Sequence, residues 1–473
     1  MNLFQQILTY ITAIFLAVSP TPQYVEGVIG QPTSFLPSQL TQENDKAISK
    51  LIFRGLFTYD IYGVLVPDLA ETWTVSEDGL AYTIKIRDNQ YWNNGKKITS
   101  DDLIYSAFKI EDLVGVATDK VDELTVRYTL PNKYSPFLSL LTAGVMQVNE
   151  EDRKAPLRPV SSSDFEIIQV ERTGNIVNRV ILRSKNPEHK VKRIVFRYYA
   201  NEDELVTAAK LGEIDSFLAK DNHELENFSN YKFPLQGIYY ALIFNTRNET
   251  LKDVGLRQKL QKVLPVESLI SEYGILAQGP ISRSVFTDKD LEFDPYDEHF
   301  KEDLGDVKLT LTIPNTDDHL ELAKRIADIW KNRLEVKVEI RQVSPNDMLE
   351  SVIKPRDFEV FIYGQEVGRD PDRYVYWHST QKDYPSLNIS GFEQVRADRA
   401  LEEGRNEQDN DKRILHYNEF QKVVTEQVPA IFLYHPYTNF YVSKYIKGIG
   451  DKYSFTYSNR FLDFYNWEKI QSN

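Results

Sequence analysis

The seven histidines of this chain (His189, His223, His299, His319, His378, His416 and His435) are the first residues to test for chemistry, and their spacing argues against it. No two stand in HExxH or any other arrangement that sets two metal ligands on one helix face. No GxSxG elbow presents a serine nucleophile and no GxxxxGK[ST] loop cradles a phosphate. The acidic pairs Asp317-Asp318 and Glu402-Glu403 are adjacent, so on a helix their carboxylates diverge by about 100° and cannot act as an acid/base couple. Cysteine is absent, which removes disulfides, thiolate metal sites and cysteine nucleophiles. Within single segments, then, catalytic chemistry finds no support; only a constellation assembled from distant residues stays open.

Binding chemistry is better supplied. The 28 tyrosines and 25 phenylalanines can wall a ligand cleft, with a few polar groups fixing orientation. The richest segment is Phe358–Trp377, FEVFIYGQEVGRDPDRYVYW. Phe358, Val360 and Ile362 alternate with Glu359, Phe361 and Tyr363, which predicts a strand ending at Gly364 and followed by a polar loop through Arg369.

The elements that must position such a loop are those of an α/β protein. Tyr82, Ile84 and Ile86 alternate with polar residues after a Ser76-Glu77-Asp78-Gly79 turn, predicting a half-buried strand. Thr99 or Ser100 caps a helix with Asp101 and Asp102 in its first turn, where carboxylates meet the positive end of the helix dipole. Leu309–Ile313, an amphipathic helix over Leu320–Leu334 and Val336–Ile340 form a βαβ unit, which implies a partly parallel sheet. Tyr24–Gly30 is expected to open the fold.

With 473 residues the chain can bury a large core and divide into two or three lobes. A net charge of −14 argues against nucleic acid or an anionic membrane surface as the main partner. The uncharged run Ile7–Val18 is shorter than a bilayer span of about 20 residues, and Ala17-Val18-Ser19 offers a signal-peptidase site followed directly by Pro20. Residues 1–20 are expected to be a secretion signal or an N-terminal anchor, leaving the body outside the cytoplasm, periplasmic or at the cell surface.

The order of motifs carries a family resemblance. Gly55-Leu56, Asp60, Gly63, Pro67-Asp68-Leu69-Ala70-Glu71, Trp73, Asp78-Gly79, Trp92, Gly95 and Asp101-Asp102 follow one another in the first part of the chain. Further on come Ala209–Asp215, Phe244-Asn245, Leu256-Arg257-Gln258 and Asp370-Pro371-Asp372. The chain in this respect resembles the family 5 solute-binding proteins, the peptide, dipeptide and nickel receptors of ABC importers, from about Tyr24 to Tyr437. The resemblance implies a two-lobed periplasmic-binding-protein fold (type II, cluster C) with an extra lobe and mixed sheets. Residues 24–45, 160–236 and 436–473 would form lobe I, 46–159 the extra lobe and 237–435 the opposing lobe. The apolar runs Ile238–Phe244 and Ala430–Tyr434 would connect them, or be plain core strands.

The resemblance implies a monomeric receptor without cofactor or catalysis, which captures an oligopeptide by lobe closure and passes it to a membrane permease. Its expected ligand-binding residues are Thr41, Gln42 and Glu43 after the first strand, then Tyr363, Gln365, Glu366, Gly368 and Arg369, with Trp377 and Asn388 beyond. Aligning Gly364 with the family's glycine puts Gly368 where peptide receptors carry an aspartate for the ligand's α-amino group. Three alternatives stay open: Glu366 substitutes through a reshaped loop, the ligand has no free amine, or Glu366 and Arg369 form a solvated surface pair. A wall carrying a Ser-Pro-aromatic element is expected to be missing after Phe108, and Pro159–Phe165 lacks the family's glycines. Other solutes, such as an oligosaccharide or a chelated metal, a ligand-free interaction or sensory protein, and an extracellular hydrolase remain as alternatives.

Overall fold

The computed structural model describes residues 22–281, 295–452 and 454–470; the expected signal or anchor lies outside them. A twelve-stranded mixed sheet runs through the molecule. Its strands are β1 (Gln23–Ile29), β2 (Phe165–Thr173), β3 (Ile176–Ser184), β4 (Arg193–Tyr199), β5 (Ser216–Ala219) and β6 (Phe228–Pro234), then β7 (Ile238–Phe244), β8 (Gly274–Leu276), β9 (Lys308–Pro314), β10 (Lys337–Val343), β11 (Val360–Glu366) and β12 (Ala430–Ser443). The order is β10-β9-β11-β7-β12-β5-β1-β4-β3-β2, with β6 and β8 also paired to β12.

The long strand β12 belongs to both halves of this sheet. Its first residues pair with β7, Ile243 opposite Ala430 through Tyr240 opposite Tyr434, with a register shift in between. From Tyr437 onward it pairs with β6, and from Asn439 with β5. Pro436 stands at the change of partner, where a residue without an N–H costs no ladder bond on the side that is being vacated. The chain crosses between the halves a second time through Leu235–Gly237, between β6 and β7. The runs Ile238–Phe244 and Ala430–Tyr434 are thus core strands of one half, and the crossings fall at their ends.

Each half is covered on both faces, as β1 illustrates. Tyr24 and Val28 face one core and Val25 the other, the period-two consequence of the pleat. The first core continues through α1 (Glu43–Ile52) and α2 (Ser100–Lys109) into a separate four-stranded antiparallel sheet that contains Ala81–Ile86. The second half buries α3 (Asp317–Leu334) on one face through Leu322, Ile326 and Trp330. Its other face carries α4 (Val395–Asn406) and α5 (Asn410–Gln427) through Leu401, Tyr417 and Phe420. The predicted βαβ unit is present, with β9 and β10 parallel from Lys308 opposite Lys337 to Pro314 opposite Val343.

Local rules explain most of these ends. Thr99 caps α2, and its N–H donates to Asp102 Oδ2 at 3.0 Å. Buried Asp102 does more than meet the dipole: it accepts from Trp92 Nε1 at 3.2 Å and from Val148 N at 2.9 Å, fastening two loops to the helix. One expectation shifts. The strand predicted to end at Gly364 runs two residues further, because Gln365 and Glu366 keep pairing with Tyr239 and Ile238. Gly364 is a place of close approach instead, since a Cβ there would lie 2.8 Å from Cζ of Tyr240.

Candidate ligand-binding cleft

Where the two halves of the sheet meet, a cleft of about 1150 Å³ opens. Its main walls are the face of α1 that carries Ala47 and Lys50, continued by Arg54; the segments around Tyr59 and Tyr134–Ser139; the loop Glu366–Asp372; and the C-terminal turn Phe455–Asn459. The wall expected to be missing after Phe108 is therefore supplied later in the chain, by Tyr134, Ser139 and Thr142, and Ser135-Pro136-Phe137 lies in that stretch.

Most charges along this cleft are already neutralised. Arg54 reaches Asp68 at 2.6 Å and Gln90 at 2.6 Å. Asp370 takes two bonds from the buried Arg413 guanidinium, at 2.8 and 3.2 Å, and Asp372 takes two from Arg405, at 2.9 and 2.7 Å. The Asp-Pro-Asp motif thus ties the loop to α4 and α5; Arg413 grips both oxygens of Asp370, a bidentate pair that fixes direction as well as distance, while both Arg405 N–H groups converge on Oδ2 of Asp372. Arg405 also lies 4.1 Å over the Tyr374 ring, and its carbonyl accepts from Ser135 N at 2.9 Å, joining the loop's anchor to the opposite wall.

Arg369 joins three separate stretches of chain. Its guanidinium lies 4.5 Å from the Tyr59 ring and 4.9 Å from the Phe455 ring, and Nη2 donates to Asn459 Oδ1 at 3.0 Å. Asn459 Oδ1 also accepts from the N–H groups of Phe455 (3.0 Å) and Thr456 (2.7 Å), so the acceptor is itself held. Burial pushes the Tyr59 phenol up to about 12, so that wall stays neutral at ordinary pH.

Glu366 differs from its neighbours. It is exposed at the end of β11, lines the cleft, and its carboxylate has no hydrogen-bond or ion-pair partner among the described residues. The solvated Glu366–Arg369 pair that the sequence also allowed is not formed. Tyr376 and Tyr457 face it, their phenols raised chiefly by burial and less by its charge.

The other expected residues divide. Gly368 lines the cleft in open space: among the described residues, its own chain neighbours aside, no atom lies within 4 Å of a Cβ built on it. Thr41 is exposed and Gln42 is the N-cap of α1; neither lines the cleft. Glu43, expected in a loop, begins α1, pairs with Lys46 at 2.6 Å and lines a separate cavity of about 170 Å³ with Tyr457. Tyr363 packs against Phe361 in the core beneath β11, and buried Gln365 accepts from the Tyr239 hydroxyl. Trp377 is buried against Phe392 and Phe432. Asn388 is fully buried, donating to the carbonyls of Trp377, His378 and Phe392 at 3.3, 3.1 and 2.8 Å; it clamps a loop and lies away from the cleft. The residues missed were Lys50, Tyr59, Arg405 and Phe455–Asn459. Only Arg405 left a signal, as a cation in the last turn of a helix following the acidic motif.

A family model described as bacterial extracellular solute-binding proteins, family 5 Middle, matches residues 64–386. The chain belongs to this family. It is 23% identical to the oligopeptide-binding protein AppA of Bacillus subtilis over 90% of this chain and 88% of AppA. Among solved structures it resembles the substrate-binding protein CtaP of Listeria monocytogenes, with a TM-score of 0.80 at 21% identity, covering 95% of this chain and 99% of CtaP. It also resembles NikZ of Campylobacter jejuni in complex with Ni(L-His), with a TM-score of 0.72 at 22% identity over 95% of this chain and all (100%) of NikZ. These likenesses establish the two-lobed periplasmic-binding fold. Family 5 consists of solute-binding proteins that work outside the cytoplasm. No helix among the described residues is long and apolar enough to cross a membrane.

Proposed function

We propose that this family 5 protein captures oligopeptides or peptide-like solutes by closing its two lobes over the cleft and presents them to the permease of an ABC importer. It acts as a monomer without catalysis and without nucleic acid, held outside the cytoplasm by, or released from, its N-terminal segment. The lobes are those expected from the resemblance: 24–45, 160–236 and 436–473 against 237–435, with 46–159 as the extra lobe. The crossings at Leu235–Gly237 and Tyr434–Tyr437 support that division, and the continuous core that joins the extra lobe to β1 and β4 makes those two lobes move together.

The observation that carries the reading is Glu366, a carboxylate with no partner among the described residues, at the head of a loop whose Asp370 and Asp372 are saturated by arginine. In a cleft of mixed polar and aromatic lining it is placed to take the free ammonium of a peptide, a charge-assisted hydrogen bond made only when the ligand arrives. Ligand binding favours closure only by its differential affinity for the closed state, so contacts from both walls are needed. A working receptor binds in the micromolar range or tighter, about −8 kcal/mol. Native mass spectrometry of the purified protein before and after mild denaturation tests the reading. A heterogeneous set of short peptide masses supports it; one discrete non-peptide mass redirects it to that solute.

A further inference from the structure

Lys50 projects from α1 into the same cleft, and among the described residues its ammonium has neither a hydrogen-bond nor an ion-pair partner. This is unusual beside its surroundings. One turn back Lys46 is satisfied by Glu43, and four residues on Arg54 is satisfied by Asp68. Across the cleft, Lys50 faces Arg369, whose guanidinium is fixed by Asn459 and the Tyr59 and Phe455 rings. Two cations from opposite walls therefore share one polar space. Burial between the cleft walls lowers the Lys50 ammonium to about 8, and the charges of Arg369 and Lys46 act in the same direction while Glu43 opposes them. Lys50 is an exposed residue that lines the cleft, so a ligand entering the cleft can reach it. Such like-charge crowding costs free energy until an anion enters, and a carboxylate placed there would relieve it from both sides.

We infer that Lys50, with Arg369 opposite, forms an anion subsite that takes a carboxylate of the ligand, so that the protein selects dipolar ligands whose ammonium meets Glu366 and whose carboxylate meets Lys50. The inference rests on the peptide reading above for the ligand's chemical class. The subsite excludes ligands whose acid is masked, and lobe closure is favoured because the anion bridges the α1 wall and the loop wall at once.

The test uses a matched pair of short neutral peptides, one with a free C-terminal carboxylate and one amidated, both with free amines, titrated calorimetrically into the wild type, Lys50→Gln and Lys50→Arg. Lys50 has no hydrogen-bond or ion-pair partner among the described residues, so Lys50→Gln should melt within a degree or two of the wild type. The wild type should prefer the acid over the amide by about 30-fold, Lys50→Gln should lose that preference and Lys50→Arg should keep it. Because the ratio of the two affinities cancels the titration of the shared amine, raising the pH from 7 to 9 should erode the preference of the wild type about tenfold and leave that of Lys50→Arg flat. Equal ratios in the wild type and Lys50→Gln overturn the subsite and leave the peptide reading standing. If the wild type binds neither peptide, the peptide reading falls. Succinate at fixed ionic strength then decides the subsite: a rise in melting temperature for the wild type that Lys50→Gln lacks supports it, and the same response in both overturns it.

Discussion

Within seven residues of one loop, Glu366 and the pair Asp370 and Asp372 show two uses of the same carboxylate. Asp370 and Asp372 are each held by two bonds from an arginine of a neighbouring helix. Glu366 faces the cleft with no hydrogen-bond or ion-pair partner among the described residues. The difference teaches where to look for recognition: a saturated charge orients the backbone, while an open charge keeps its interaction energy for something not yet bound. The same contrast holds on the α1 wall between Lys46, paired with Glu43, and Lys50.

The comparison breaks most visibly at Arg413. Its side chain is 5% exposed and that of Asp370 17%, so Arg413→Met strands a carboxylate in a poorly solvated place; urea unfolding should show a loss of about 3 kcal/mol. If the loss is instead a few tenths, Asp370 is not the anchor described here. Glu366→Gln should do the reverse. Its melting temperature should stay within a degree or two of the wild type, while affinity for a peptide with a free amine falls by about 2 kcal/mol, or roughly 30-fold, and affinity for the N-acetylated peptide is unchanged. Equal losses for both peptides would show that Glu366 does not meet the amine. The smallest effect belongs to Gly368→Asp. Open space surrounds the site, so the variant should fold normally and restore roughly fivefold of the affinity lost in Glu366→Gln, a gain typical of a solvent-accessible charge pair of about 1 kcal/mol. No rescue by calorimetry would mean that position 368 points away from the ligand's ammonium.

Strand and helix periodicity made much of the fold legible. The βαβ unit around α3, the strand Ala81–Ile86 and the capped α2 follow from alternation, apolar stripes and N-cap chemistry that act over a few residues. Gly364 was misjudged as a strand end because its reason for being glycine, the Tyr240 ring, comes from a strand more than a hundred residues earlier. Trp377 and Asn388 were expected at the ligand by resemblance. Their burial against Phe392, Phe432 and three backbone carbonyls is a packing fact that no local pattern records.

By itself the sequence determined the family, the alternating elements, the absence of cysteine chemistry and the presence of a polar loop after a strand at Glu366–Arg369. These are properties of composition and short-range order. Only the tertiary structure decided which charges on that loop are spent and which are open, because neutralisation depends on arginines that arrive from α4 and α5. It also decided that the C-terminal turn Phe455–Asn459 sits beside Arg369, since β12 carries the chain from one half of the sheet to the other before that turn is reached.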